Sequence, residues 1–264
     1  MLTQALPQLT PPLKWAGGKR WLIPRLINYW QAYHNRPLVE PFVGGLAVAL
    51  GLQPQHALLN DINQHVINFY HWLQQGLLID FELRNEQALY YRYRDQFNHL
   101  IRIGETQTAE AAGLFYYLNR TGYNGLCRFN QRGMFNVPFG RYKRIGYCYD
   151  FGHYRELLSQ WLFQQGHFAA IQLPANAFIY ADPPYDVPFR AYSSQGFSWS
   201  EQVQLAEWLA AHHGPVVASN QATERILDLY QQLGFQIEIL PAPRRIACNG
   251  DRQPALEMLA FKGA

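Results

Sequence analysis

The sequence predicts an open α/β fold interrupted by an inserted segment of helices and a hairpin. Three observations predict it. Residues 36–45 read as an apolar strand running into a glycine turn, and residues 46–50 start a helix, the first unit of a doubly wound sheet. Strand–helix alternation stops near residue 65 and returns from Gln164 onward. Between those points lie helical patterns and a Gly- and Arg-containing hairpin signal.

Residues 1–12 read as a disordered lead-in, with neither the basic start nor the apolar core of a signal peptide. Lys14-Trp15-Ala16-Gly17-Gly18-Lys19 follows. Two glycines before a helical pattern at 21–27 give a tight turn with unpaired amides, and Lys19 at the helix start suits an anionic group such as a carboxylate. The turn Gly44-Gly45 lets backbone approach a ligand closely. No Gly-Lys-Ser/Thr follows, so an uncharged nucleoside fits better than a pyrophosphate. Residues 57–61 read as a second strand ending in Asp61, placed as ribose-binding acids are in dinucleotide folds. The plainer alternative makes Asp61 the N-cap of the next helix.

Residues 63–100 are helical in pattern, and 109–118 form another helix. Residues 126–137 read as a hairpin whose turn is Asn130-Gln131-Arg132-Gly133, with Gly133 at positive φ. Alternation then resumes. Strands are expected at 167–173, 177–182, 215–220, 234–240 and 256–261, with helices at 200–213 (Ser200 as cap) and 223–233. This gives a catalytic domain of roughly 1–64 and 153–264 around an insertion of roughly 65–152.

The strand at 177–181 ends in Asp182-Pro183-Pro184-Tyr185. The prolines stop the strand and stiffen the backbone. A carboxylate, a fixed carbonyl and an aromatic ring are thereby presented at the strand's carboxyl end, where open α/β sheets bind ligands. These groups suit methylation of an exocyclic amino group. Its two N–H groups can donate to the Asp182 carboxylate and the Pro183 carbonyl, both of which favour the charge developing on nitrogen. The Tyr185 ring can stack on a flat base. A strand ending in a polar turn is the plain alternative.

The chain has 22 basic and 19 acidic residues, for a net charge of +3. The surplus is local. Residues 111–149 hold Arg120, Arg128, Arg132, Arg141, Lys143 and Arg144 with no acidic residue. A basic stretch interleaved with aromatics points to nucleic acid. A two-stranded ribbon fits the DNA major groove, where Arg is the commonest reader of guanine. The odd, widely spaced Cys127, Cys148 and Cys248 suit a reducing cytosol and offer no zinc spacing. No apolar run approaches the roughly 20 residues of a membrane span.

Taken together, these motifs resemble the Dam family of DNA N6-adenine methyltransferases. The likeness rests on Lys14–Lys19, Glu40-Pro41-Phe42-Val43-Gly44, Asp61, Asn119-Arg120 through Arg141-Tyr142-Lys143, Asp182–Tyr185 and Cys248-Asn249-Gly250. Their order is that of the α group of amino-methyltransferases. The resemblance implies a Rossmann-like methyltransferase sheet with an inserted helical and β-hairpin DNA-recognition domain. It implies S-adenosylmethionine as cofactor, no metal, a duplex DNA partner, a monomer, and a cytoplasmic enzyme associated with the nucleoid when on DNA. Trp15, Lys19, Asp61, Phe168 and Asp182 would bind the cofactor. Asp182, Pro183 and Tyr185 would hold a flipped adenine, most simply within GATC. Lys14 and Arg128 would read the outer base pairs, and Leu126 and Pro138 the inner ones. Tyr123 and Asn124 would brace the opened duplex, while Arg120, Arg141 and Tyr142 meet the backbone.

Three positions depart from the family pattern: Leu46 after the two glycines, His167 before Phe168, and a short linker at 186–196. Two other readings compete. The same chemistry could act on RNA, another DNA motif or protein glutamine, or the chain could be a non-catalytic DNA-binding protein on this scaffold.

Overall fold

A computed structural model describes residues 9–186, 197–243 and 255–263. In chain order its elements are α1 (Ile23–Trp30), β1 (Leu38–Glu40), α2 (Ala47–Leu52), β2 (Ala57–Asp61), α3 (Gln64–Gln74), α4 (Gln87–Ile103), α5 (Ala109–Thr121) and α6 (Arg155–Leu158). Then come β3 (Trp161–Gln165), β4 (Phe178–Ala181), α7 (Trp199–Ala210), β5 (Val216–Gln221), α8 (Glu224–Gln232), β6 (Gln236–Ala242) and β7 (Ala255–Lys262). The chain divides into two compact units. One comprises Met1–Arg20, Gly44–Gln53 and Asn63–Phe163; the other comprises Trp21–Val43, Pro54–Ile62 and Gln164–Ala264.

The second unit carries the sheet, and β3 is the strand on which the chain passes into it. The strand order is β3-β2-β1-β4-β5-β7-β6. β1 runs parallel to β2 and β4, β4 runs parallel to β5, and β7 lies antiparallel between β5 and β6. The strand order reverses between β1 and β4. In doubly wound sheets that switch point opens the ligand crevice at the carboxyl ends of the strands. β4 and the first five residues of β5 are buried, which is why β4 and the first three residues of β5 read as continuous apolar runs rather than alternating ones. Ile179, Ala181, Val216 and Ala218 pack on Leu205, Ala206 and Leu209 of α7 and on Ile226 and Tyr230 of α8.

The first unit is built around α5. Thr108 caps it by accepting from the Ala111 amide at 3.1 Å. Almost every α5 side chain is buried, as expected of a helix with neighbours on all sides. Rings fill the space around it: Phe69 stacks on Tyr116 with centroids 5.9 Å apart, and Phe97 and Phe115 lie at 6.1 Å.

Several sequence expectations need correction. The pattern at 63–100 is two helices, α3 and α4. Gly76 at φ 80° ends the first, and the following residues pair with the chain near Asp150 instead of continuing a helix. The strand expected at 167–173 is instead a 3-10 turn at Phe168–Ala170, where the His167 Nδ1 accepts from the Ala169 amide at 3.3 Å. The strand lies earlier, at β3, where Trp161 and Phe163 alternate inward. Helix α7 is capped by Ser198 rather than Ser200, with Glu201 closing a capping box.

The expected hairpin keeps its turn, with Gly133 at φ 74°, but not regular strands. Only the Phe129–Phe135 bridge forms between its arms, flanked by hydrogen bonds from the Asn130 amide to Met134 (2.9 Å) and the Asn136 amide to Arg128 (3.1 Å). Asn130 closes the turn through its side chain, accepting from the Arg132 and Met134 amides. Pro138 brings no N–H to extend the ladder, and its carbonyl accepts from Tyr123 instead.

Candidate functional site

In the sheet-bearing unit, Asp182-Pro183-Pro184-Tyr185 leaves the end of β4 beside the switch point. Ser219, on the neighbouring β5, donates to Asp182 Oδ1 at 2.9 Å, and the Tyr180 hydroxyl lies 2.8 Å from Ser219 Oγ. A carboxylate only accepts, so Ser219 donates to it and Tyr180 donates to Ser219. The next residue of β5, Asn220, donates to Gln202 Oε1 at 3.0 Å, and Gln202 Nε2 donates to the Pro184 carbonyl at 2.8 Å. Burial, with the Asp182 and Glu257 carboxylates nearby, raises the Tyr185 phenol far above its ordinary range and keeps it neutral. Asp186, just beyond, forms a two-pronged ion pair with Arg225. The Arg225 guanidinium lies 4.5 Å above the Trp199 ring.

Asp61 ends β2 in the same unit. Buried Asn60 fixes that corner by donating to the Pro41 and Gly166 carbonyls, both at 2.9 Å. Asp61 is not the helix cap. That place belongs to Asn63, whose side chain accepts from the His65 amide at 3.0 Å. Phe168 is buried, with the rings of Phe42, Phe197 and Trp208 about it at 5.7, 6.0 and 5.8 Å.

The other unit holds the remaining expected residues. Its glycine turn is packed on Trp15. A Cβ on Gly44 would lie 2.6 Å from Trp15 Nε1, and one on Gly45 would lie 2.6 Å from Trp15 Cβ, so neither position tolerates a side chain. Leu46 takes the left-handed conformation at φ 64° as the N-cap of α2, strained for a leucine and easy for glycine. Lys19 is buried and donates to the Gly17 carbonyl at 2.7 Å.

Lys14 meets the end of α5. The Asn119 side chain accepts from the Lys14 amide and donates to the Lys14 carbonyl, both at 2.8 Å. Lys14 Nζ donates to the Arg120 carbonyl at 2.5 Å and lies 3.5 Å from the centre of the Tyr142 ring. Burial and the Arg120 charge lower its pKa to about 8. Gly125, at φ 62°, has no room for a Cβ, which would lie 2.5 Å from that of Lys14. Tyr123 is half exposed, and Asn124 sits in the left-handed region at φ 53°, a conformation asparagine tolerates. The Leu126 amide donates to the Tyr123 carbonyl at 3.1 Å. Arg128 is held across the turn by Asn136, through Nε to the side-chain oxygen (2.8 Å) and Nη2 to the carbonyl (3.1 Å). Pro138 and Arg141 are exposed on the same connecting stretch. Lys14, Arg120 and Tyr142 are thus brought into direct contact, while Arg128 stands on the hairpin. Cys248-Asn249-Gly250 lies outside the described residues.

The sequence reading missed Ser219, Asn220 and Gln202. A signal was present: two polar residues close the apolar run Val216-Val217-Ala218, as Asp182 closes its own strand.

The doubly wound strand order, with a carboxylate-bearing turn at its switch-point edge, defines a Rossmann-like α/β fold. Comparison narrows the class. The family model for D12 class N6 adenine-specific DNA methyltransferases matches residues 15–245, and the chain belongs to that family. The DNA adenine methylase of Escherichia coli (strain K12) is 34% identical over 94% of this chain and 94% of its own length. The retron Ec67 DNA adenine methylase of Escherichia coli is 33% identical over 96% of this chain and 91% of its own. Among solved structures, a putative RNA methyltransferase from Pyrococcus horikoshii aligns with a TM-score of 0.47 at 7% identity, covering 99% of this chain and 92% of that one. No described helix is long and apolar enough to cross a membrane, and no described group of three or more His, Cys, Asp or Glu residues is placed to hold a metal ion.

Proposed function

We propose that the protein methylates N6 of an adenine flipped out of duplex DNA, within GATC, and that the residues above divide that work. The observation that carries this reading is the Asp182-Pro183-Pro184-Tyr185 turn at the carboxyl end of β4, its carboxylate already held by a buried serine. The names of the relatives support DNA adenine as the target.

The chemistry of the residues suits S-adenosylmethionine: in the sheet-bearing unit, the Asp61 carboxylate would take ribose hydroxyls and the Phe168 ring an adenine, and in the other unit the Lys19 ammonium would take a carboxylate. When bound, that cofactor supplies a methyl group on a sulfonium. The residues of the chain need not deprotonate the adenine before the methyl group passes from sulfur to nitrogen; one N6 proton is lost afterwards. Asp182 and the Pro183 carbonyl accept the two N–H groups of N6 and stabilise the positive charge that grows there as the N–C bond forms. Tyr185, neutral and stiffly held, stacks on the base. Flipping costs a few kcal/mol of stacking. Tyr123 and Asn124 brace the gap, Arg120, Arg141 and Tyr142 hold the phosphates, and Lys14, Arg128, Leu126 and Pro138 read the bases.

The test is methylation of unmodified duplex DNA with S-adenosylmethionine, with the product analysed as nucleosides and mapped by sequencing. N6-methyladenine confined to GATC is the expected result. The same product at another motif discards the target, and none at all, with cofactor binding intact, discards DNA as substrate. Asp182→Ala is expected to lose methyl transfer while keeping some DNA binding.

A further inference from the structure

We infer that Ser219 and the Gln202–Asn220 amide pair are positioning residues that aim the Asp182-Pro183-Pro184-Tyr185 turn; this rests on the proposed role of that turn. Ser219, Asn220 and Gln202 are all at most 1% exposed. Burying polar side chains costs free energy unless each is hydrogen-bonded. Each of these is, and their bonds converge on one turn.

The two sets hold different parts of it. Ser219 fixes one oxygen of the Asp182 carboxylate. Gln202 fixes the Pro184 carbonyl and thus the plane of the peptide leading into Tyr185, on which the Tyr185 ring turns. Both anchors are rigid. Ser219 and Asn220 are adjacent on β5, whose register with β7 runs unbroken from Val216 to Gln221. Gln202 sits in the first turn of α7, locked by the Ser198–Glu201 capping box. Adjacent residues on a strand point to opposite faces, so one strand end reaches the acid directly and the backbone through the helix. The loss of either anchor leaves the groups of the turn present but misaimed, and small misplacement of reacting groups is expensive in rate.

The experiment compares Ser219→Ala, Ser219→Thr, Ser219→Cys and Gln202→Met with the parent enzyme. It measures kcat and KM on a GATC duplex, S-adenosylmethionine affinity by calorimetry, and thermal melting. Ser219→Ala is expected to lower kcat by about 10- to 100-fold, the usual size of a lost hydrogen bond to a charged group. KM for DNA and cofactor affinity should hold, and Ser219→Thr, which restores the hydroxyl, should recover most of the rate. Gln202→Met should lower kcat in the same manner. If Ser219→Ala fails to fold, Ser219→Cys, nearly isosteric but a weak donor, is expected to show the same loss confined to kcat. Full kcat in a folded Ser219→Ala or Ser219→Cys enzyme, or a loss confined to KM or cofactor affinity, overturns the inference. Asp182→Ala separates the two levels. An active Asp182→Ala enzyme removes the role of the turn itself, whereas an inactive one beside a fully active Ser219→Ala removes only the positioning role.

Discussion

The side-chain amide of Asn119 clasps the backbone of Lys14 in both directions, accepting from its N–H and donating to its carbonyl at 2.8 Å each. Asn119 is fully buried, so both bonds are made away from water. The amide does both at once, with its oxygen accepting and its nitrogen donating. Asn119→Asp keeps the acceptor, loses the donor and buries a charge; Asn119→Leu loses both bonds. Each variant is expected to destabilise the protein by about 1–3 kcal/mol, the cost of orphaned buried polar groups, in urea or thermal melts. DNA affinity should fall with it, because the clasp places Lys14.

Much of this was legible in the sequence, and what was not has physical causes. Strands β1, β2, β4 and β5 and the turn after β4 announce themselves, since buried parallel strands are continuous apolar runs bounded by Gly, Pro or Asp. The break between α3 and α4 did not, because Leu77, Leu78 and Ile79 continue an apolar pattern that only pairing near Asp150 reveals as extended chain. His167-Phe168 looked like a strand start because a bulky buried ring gives no hint that the imidazole beside it caps a 3-10 turn. The residues named for the site came from motif chemistry. Ser219 stands at the polar close of an apolar run and Asn119 within a motif, but they and Gln202 hold the site through contacts 37, 105 and 18 positions away in sequence, and no local pattern names those partners.

Lys14 should lend the enzyme a pH dependence. Its ammonium is charged below about 8 and neutral above. If it reads an outer base pair as a cation, discrimination at that pair should weaken as pH rises from about 7 to 9. Lys14→Arg should make discrimination independent of pH across that window, because a guanidinium stays charged. Methylation of GATC against single-base variants at several pH values measures this. A Lys14 enzyme whose discrimination is flat across the window loses the assignment.

Leu46 sets two effects against each other. Its left-handed backbone costs about 1–2 kcal/mol, which Leu46→Gly would relieve. Its side chain is 0% exposed, and truncating a buried leucine costs about 2–5 kcal/mol. At the middle of both ranges the side chain wins, and Leu46→Gly should be less stable by about 2 kcal/mol. A stabilised variant in denaturant melts would show that the strain at φ 64° outweighs the burial of the side chain.

His65 should make the first unit sensitive to acid. It is buried, stacked on Phe129 at 4.9 Å, and lies 5.0 Å from the Phe97 ring in an edge-on contact. Burial lowers its pKa to about 4, while the unfolded chain titrates near the ordinary imidazole value of about 6.5. Between those values the unfolded state holds the extra proton, so stability falls as pH falls through that window. Urea melts at pH 4–7 should show the slope, and His65→Phe should flatten it. An equal slope in both proteins would assign the acid sensitivity elsewhere.

Arg128 offers the sharpest test of how DNA is read. Its guanidinium is preset by Asn136 on the opposite arm of the turn, so little side-chain freedom remains to be lost on binding. A preset Arg that pairs two-pronged with guanine discriminates by about 1–3 kcal/mol. Arg128→Ala should therefore relax the choice at one base pair of the site by that amount and leave the other positions unchanged. A phosphate contact would behave differently, weakening binding evenly across sequences and flattening the salt dependence. Competition among all single-base variants of the site at two salt concentrations separates these outcomes. An even loss would move Arg128 from base reader to backbone contact.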